Sequence, residues 1–242
     1  MTTVLLIRHG RTSANTAGIL AGRSSGVTLD ETGTEQVAEV GRRLAGAPLK
    51  AVVTSPLRRC RQTAQALIAA RTDDCPLTVD AGLIECGYGD WTGRTLRDVS
   101  KEKLWEAVQH QPSSVRFPGG EAMGEMSARA VGAIRGWDAK LAAEHGPDTV
   151  WAAVSHGDPI KAILADALGM HFDSFNRIVV DPASISIIRY TPSRPYAITV
   201  NSTQIDLAAM FAPPKKGRSR RSVPPGEAPV GGGLGSADAA QS

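Results

Sequence analysis

The chain has 242 residues, 42% of them hydrophobic and 21% charged, with a formal net charge of +3. This composition excludes a mostly disordered chain, and no apolar run approaches the roughly 18 residues that a membrane span needs. The excess charge is local: residues 212–242 carry five basic and two acidic side chains, which leaves the body balanced.

In chain order, Thr3–Ile7 reads as a strand by its length and branched residues. It ends at once in Arg8-His9, so it is not read as a secretory signal. Asp30 can cap a helix through which Val37, Val40 and Leu44 recur at helical spacing. Ala51–Thr54 reads as a second strand and Leu57–Ala70 as a second helix. Residues 86–120 break the alternation with Gly87, Gly89, Gly93, Pro112, Pro118, Gly119 and Gly120, and read as an insertion that partly covers a site. Met123, Met126, Ala130, Ile134, Trp137 and Leu141 then form one apolar helical stripe. Val150–Val154 is a strand, 158–168 a helix ended by Gly169, and Ser184–Tyr190 and Tyr196–Asn201 are strands. The alternation predicts a single three-layer α/β domain over residues 1–211, a mainly parallel sheet with helices on both faces.

Residues 212–242 are rich in Pro and Gly and read as a disordered basic tail, a solubilising extension more than a contact for anionic partners. The body itself is expected to bind neither nucleic acid nor membrane. Cys60, Cys75 and Cys86 match no metal or redox spacing, which suits a reducing cytoplasm.

Three strands run straight into polar residues. The first leads into Arg8-His9-Gly10, the second into Ser55-Pro56-Leu57-Arg58-Arg59, and the third into Ser155-His156-Gly157. In an open α/β sheet, ligands bind beyond the carboxyl ends of the strands, so two imidazoles and several guanidinium groups should meet at one edge. Arginine offers a planar fork that matches phosphate oxygens, and a neutral imidazole is a nucleophile near pH 7. Arg8 beside His9 favours the unprotonated ring. Such a set can move a phosphoryl group onto a ring nitrogen, given a carboxylic acid to protonate the leaving alcohol.

These residues carry a resemblance. Leu6-Ile7-Arg8-His9-Gly10 with Thr12 and Asn15 resembles the signature of the histidine phosphatase superfamily, the phosphoglycerate-mutase-like proteins. Leu29–Gly33 with Gln36, Thr54–Ala64, Leu83-Ile84-Glu85 with Gly89, Trp91 and Gly93, Pro118-Gly119-Gly120-Glu121 and Ser155-His156-Gly157 follow in the family's order. The resemblance implies a phosphoglycerate-mutase-like fold with His9 as the phosphorylated nucleophile. It implies Arg8, Arg59 and His156 around the phosphate, Glu85 as general acid and then base, and Asn15, Gly22 and Gly157 near phosphate and substrate. It implies neither metal nor other cofactor. The sequence departs from the pattern at Arg11, an added cation at the expected mouth, at Cys60 and at Thr92.

The expected activity is that of a phosphatase on a small phosphorylated metabolite. A cofactor-dependent phosphoglycerate mutase is the alternative, and a non-catalytic phosphate-binding module a third reading. Asp90 and Glu121 compete with Glu85 for the acid's role, and Asp158 is expected to cap the helix after His156. His110, His145 and His171 read as surface or packing residues. Exposed strand edges leave a homodimer open.

Overall fold

The computed structural model describes residues 1–203. The expected tail and the expected domain end at residue 211 lie outside the described residues.

The first strand, β1 (Thr2–Arg8), is followed by one short helical turn, α1 (Ser13–Thr16), and then by α2 (Glu31–Leu44). Asp30 caps α2 as its residue type predicts, with its carboxylate accepting from the Gly33 N–H at 2.7 Å. The chain continues through β2 (Leu49–Thr54), α3 (Arg58–Ala69) and β3 (Leu77–Val79). The short helices α4 (Leu96–Val99) and α5 (Leu104–His110) lead into the long α6 (Met123–His145). Then come β4 (Val150–Ser155), α7 (Gly157–Ala167), β5 (Ile185–Tyr190) and β6 (Pro195–Ser202).

The six strands form one sheet in the order β3-β2-β4-β1-β5-β6. The first four of that order run parallel, and β5 and β6 are antiparallel. Strand β3 was not foreseen: its three residues are all exposed and show no alternation to read.

Side-chain alternation along the central strands explains the three layers. Val4, Leu6, Val53, Trp151 and Ala153 face a core built with α6 and α7. Their neighbours Leu5, Ile7, Val52, Ala152 and Val154 face a second core built with α2 and α3. Burial on both faces is what parallel strands require, and it accounts for their near-continuous apolar runs. The α6 stripe is buried as its spacing predicts, except that Trp137 is half-buried and donates its indole N–H to Asp80 at 2.5 Å. Residues 86–120 contribute Tyr88, Trp91, Val99, Trp105, Val108 and Phe117 to the core on the α6 side.

Registers place the site. Arg8 lies opposite Ser155 across β1 and β4, and Thr54 opposite Val154 across β2 and β4. The carboxyl ends of all three strands therefore finish side by side.

Candidate active site

At the end of β1, Arg8 and His9 are both buried. The next residue must be glycine because a Cβ on Gly10 would lie 2.6 Å from the Gly33 carbonyl oxygen and 2.7 Å from Val37. The small size of Gly10 thus admits the first turn of α2. His9 Nδ1 lies 2.7 Å from the Gly10 carbonyl oxygen, which can only accept, so Nδ1 carries the hydrogen. Nε2 is then the nitrogen with the lone pair, and Arg59 Nε donates to it at 3.2 Å.

Burial, reinforced by the Arg59 and Arg8 guanidinium groups, holds the His9 ring well below the usual imidazole range. Burial leads here, where the sequence alone pointed to Arg8. His156 is driven the same way, by burial first and then by Arg59 and His9. The two rings meet edge to face, with centroids 5.2 Å apart. Both are neutral at pH 7.

Arg59 enters from the first turn of α3, with its other end fixed by an Nη2 donation to the Gly22 carbonyl at 2.8 Å. Its Nη1 is buried and has no hydrogen-bond partner among the described residues. A buried, unsatisfied guanidinium nitrogen costs free energy unless an anion completes it. Arg8 is pinned through Nη1 to the Val180 carbonyl at 2.8 Å. His156 Nε2 lies 2.7 Å from Ser55 Oγ at the end of β2, and Cys60 Sγ packs 3.4 Å from the same nitrogen. Burial pushes the Cys60 thiol up to about 12, so it is an inert packing group, as expected.

Glu85 is buried, and its Oε1 accepts from the Cys86 N–H at 2.9 Å. Burial, and then the neighbouring Asp158 charge, push its carboxyl up to about 8, against the pull of the Cys86 N–H, Arg59 and Arg8. At neutral pH it holds its proton. The two rival carboxylates are placed differently. Asp90 is exposed. Burial would raise Glu121, but the bonds from Arg129 and Gly87 outweigh it and hold Glu121 below the usual range.

The remaining expected residues fall as follows. Asn15 Oδ1 accepts from the Thr12 N–H at 3.1 Å and the Thr12 hydroxyl at 2.8 Å, closing the capping box of α1. That leaves its amide N–H groups as its means of holding an anion. Gly22 contributes the carbonyl that anchors Arg59. Gly157 opens α7, so backbone N–H groups start at the end of β4. Arg11 pairs with Asp30 at 2.9 Å.

Asp158 is a correction. The cap position of α7 belongs to His156, and Asp158 is a fully buried residue of the first turn. Its Oδ2 accepts from the Tyr88 hydroxyl at 2.7 Å, and its Oδ1 lies 3.7 Å from the buried Lys161 ammonium. Buried polar groups need such partners more than the helix end needs a side chain. Tyr88 and Lys161 were missed, each a single polar residue inside a segment that reads as turn or core, and Ser55, named at the end of its strand, was given no role.

The class is now defined: a three-layer α/β domain with two neutral histidines, two buried arginines and a protonated carboxyl at one end of its parallel strands. The pattern of the histidine phosphatase superfamily (branch 1) matches residues 4–203, and the chain belongs to that superfamily. It is 33% identical over 195 residues to the Bifunctional protein Rv2228c of Mycobacterium tuberculosis, over 78% of this chain and 50% of that one. The chain thus spans about half the length of those mycobacterial relatives. It is 31% identical to "Probable phosphoglycerate mutase GpmB" of Erwinia tasmaniensis, over 80% of this chain and 87% of the relative. The alpha-ribazole phosphatase of Shigella flexneri superposes with a TM-score of 0.70 at 26% identity, covering 83% of this chain and 96% of that one.

Among the described residues, no helix is long and apolar enough to cross a membrane, and no cluster of three or more His, Cys, Asp or Glu side chains could hold a metal ion.

Proposed function

We propose that this protein hydrolyses phosphate monoesters of small metabolites through a phosphohistidine on His9. His9 Nε2 attacks phosphorus, forming the N–P bond as the P–O ester bond breaks. Glu85 gives its proton to the departing alkoxide. The Glu85 carboxylate then takes a proton from water, whose oxygen attacks phosphorus and breaks the P–N bond. Inorganic phosphate leaves, and His9 and Glu85 return to their starting states.

Arg8, Arg59 and His156 surround the transferring group, where fixed positive charge and N–H donors favour the transition state. Asn15, Gly22 and Gly157 complete the phosphate and substrate contacts. The guanidinium groups supply the positive charge, so the reading needs neither metal nor cofactor. Residues 86–120 then form the wall that selects the substrate.

The observation that carries this reading is the His9 tautomer. A hydrogen fixed on Nδ1 by the Gly10 carbonyl leaves Nε2 as the nucleophile, with Arg59 Nε 3.2 Å away. The phosphatase named among the structural relatives supports the same class, and the relative named as a mutase supports the alternative.

One experiment separates them. Phosphate release from a panel of monoesters is measured beside the interconversion of 3- and 2-phosphoglycerate, with rapid-quench mass spectrometry to detect the enzyme adduct. Expected are hydrolysis and a phosphate on His9. Fast interconversion with little hydrolysis would make the protein a mutase, and hydrolysis without an adduct would overturn the mechanism.

The reading also includes pairing of two copies. The edge strand β6 exposes Tyr196, Ile198 and Val200, which supports a homodimer; light scattering of the purified chain tests it.

A further inference from the structure

Glu85 differs from the other site residues in its support. It sits on neither a strand nor a long helix, but between two three-residue helical turns at Ala81–Leu83 and Gly89–Trp91. An irregular segment at such depth must find partners for its own backbone groups. One side chain of α6 supplies three of them. Arg129 Nη1 donates to the carbonyls of Gly82 at 2.9 Å and Ile84 at 2.7 Å. Its Nη2 donates to the Glu85 carbonyl at 3.0 Å and to Glu121 Oε2 at 3.1 Å, and its Nε donates to Glu121 Oε1 at 2.7 Å.

Glu121 extends the grip. The Gly87 N–H and Arg23 Nη2 both donate to its Oε2, at 3.1 and 2.8 Å. Arg23 Nε returns to the Glu85 carbonyl at 2.9 Å. Four consecutive anchor points, at residues 82, 84, 85 and 87, thus hang on one guanidinium–carboxylate pair. The pair grips the peptide rather than the Glu85 side chain. The neighbouring Gly22 carbonyl holds Arg59, so the stretch 22–23 ties the acid's support to the phosphate arginine.

We infer that Arg129 is the positioning residue for the Glu85 carboxyl, acting with Glu121 through the backbone of residues 82–87. The inference rests on the proposed role of Glu85 as general acid. A lysine cannot replace the fork: its single ammonium cannot reach three carbonyls and both oxygens of a carboxylate in one plane. Loss of the fork lets the carboxyl drift from the leaving oxygen, and a misplacement of about 1 Å can cost roughly 10²-fold in rate.

The test uses leaving groups. An alkyl phosphate such as glycerol 3-phosphate expels an alkoxide that needs a proton, whereas p-nitrophenyl phosphate expels a phenolate that does not. kcat/KM on both substrates is compared for the wild type, Glu85→Gln, Arg129→Met, Arg129→Lys and Glu121→Gln. Glu85→Gln should lose roughly 10²-fold or more on the alkyl ester and far less on the aryl ester. Arg129→Met should show the same selective loss, roughly tenfold or more greater on the alkyl ester, with Arg129→Lys and Glu121→Gln intermediate. Equal losses on both esters in the folded Arg129 and Glu121 variants would reduce the clamp to a general structural role and overturn the inference. A Glu85→Gln variant without selective loss would instead overturn the acid assignment beneath it. If Arg129→Met does not fold, Arg129→Lys and Glu121→Gln decide the question by the same ratio.

Discussion

The two walls of the site are built by different means. The wall that carries the proposed nucleophile is the sheet itself: His9 and His156 follow adjacent parallel strands whose register is fixed by backbone ladders along their whole length. The wall that carries the proposed acid, Glu85, is a loop. It is fixed to α6 by Arg129 and to the end of β4 by the Ser155 hydroxyl, which donates to the Leu83 carbonyl at 2.7 Å. A strand end positions its residue through many bonds of low individual consequence, whereas the loop concentrates positioning in a few side chains. Substitutions far from the chemistry should therefore spare the first wall and disturb the second.

Removing the nucleophile is the harshest test of the comparison. His9→Ala should lower phosphate release by about 10⁴-fold or more and abolish the mass adduct, with little change in melting temperature. Residual turnover near the wild-type rate would remove the first wall's purpose. Arg59→Met comes next, with an expected loss of about 10²- to 10³-fold in kcat, because it deletes donors aimed at the transferring group. A change confined to KM would show that Arg59 only binds.

The second wall is read through pH. Asp158 is the leading charge that raises Glu85, so Asp158→Asn should lower the Glu85 carboxyl and move the alkaline fall of kcat/KM to below the wild-type position near pH 8. The same variant removes the carboxylate charge 3.7 Å from the buried Lys161 ammonium and should cost about 3 kcal/mol or more in stability, read by urea unfolding. An unmoved alkaline limb in the folded variant would detach Asp158 from the acid.

Glu85 also links pH to stability. Its carboxyl binds a proton more tightly folded than unfolded, so its contribution is full below the usual carboxylate range and disappears as pH rises to about 8. Wild type should lose stability relative to Glu85→Gln as pH climbs from about 5 to 8, and parallel unfolding curves across that window would contradict this. The smallest effect belongs to Cys60→Ala, a deletion in a packed corner, expected to cost about 1 kcal/mol and to leave kcat within about twofold.

Legibility in the sequence follows the same division. Of the five strands it reveals, three run straight into polar residues, and His9 and His156 stand out because each sits at such an end. The alternation of strands with helices made the layered sheet readable, and the division of Val4 and Leu6 from Leu5 and Ile7 between its two faces came only with the fold. Glu85 was reached through a motif, since nothing local to Leu83-Ile84-Glu85 marks a carboxyl that keeps its proton. Arg129 was not legible at all. It stands 44 residues from Glu85, and the apolar stripe of its helix drew attention to other positions. Asp158 misled because residue type and position both suit a cap, while the partners that claim it, Tyr88 and Lys161, come together only in the folded chain.

The acid's loop meets the entry to α6 backbone to backbone. The Asp90 N–H donates to the Pro118 carbonyl at 2.9 Å and the Glu121 N–H to the Gly87 carbonyl at 2.8 Å. A Cβ on Gly89 or Gly120 would strike the facing main chain. The two stretches, 87–91 and 117–121, are thereby a single structural unit. Segment grafts intended to retarget the enzyme can exchange what lies between them, around α4 and α5, but must carry both glycine-bearing stretches together or separate the acid from its anchor.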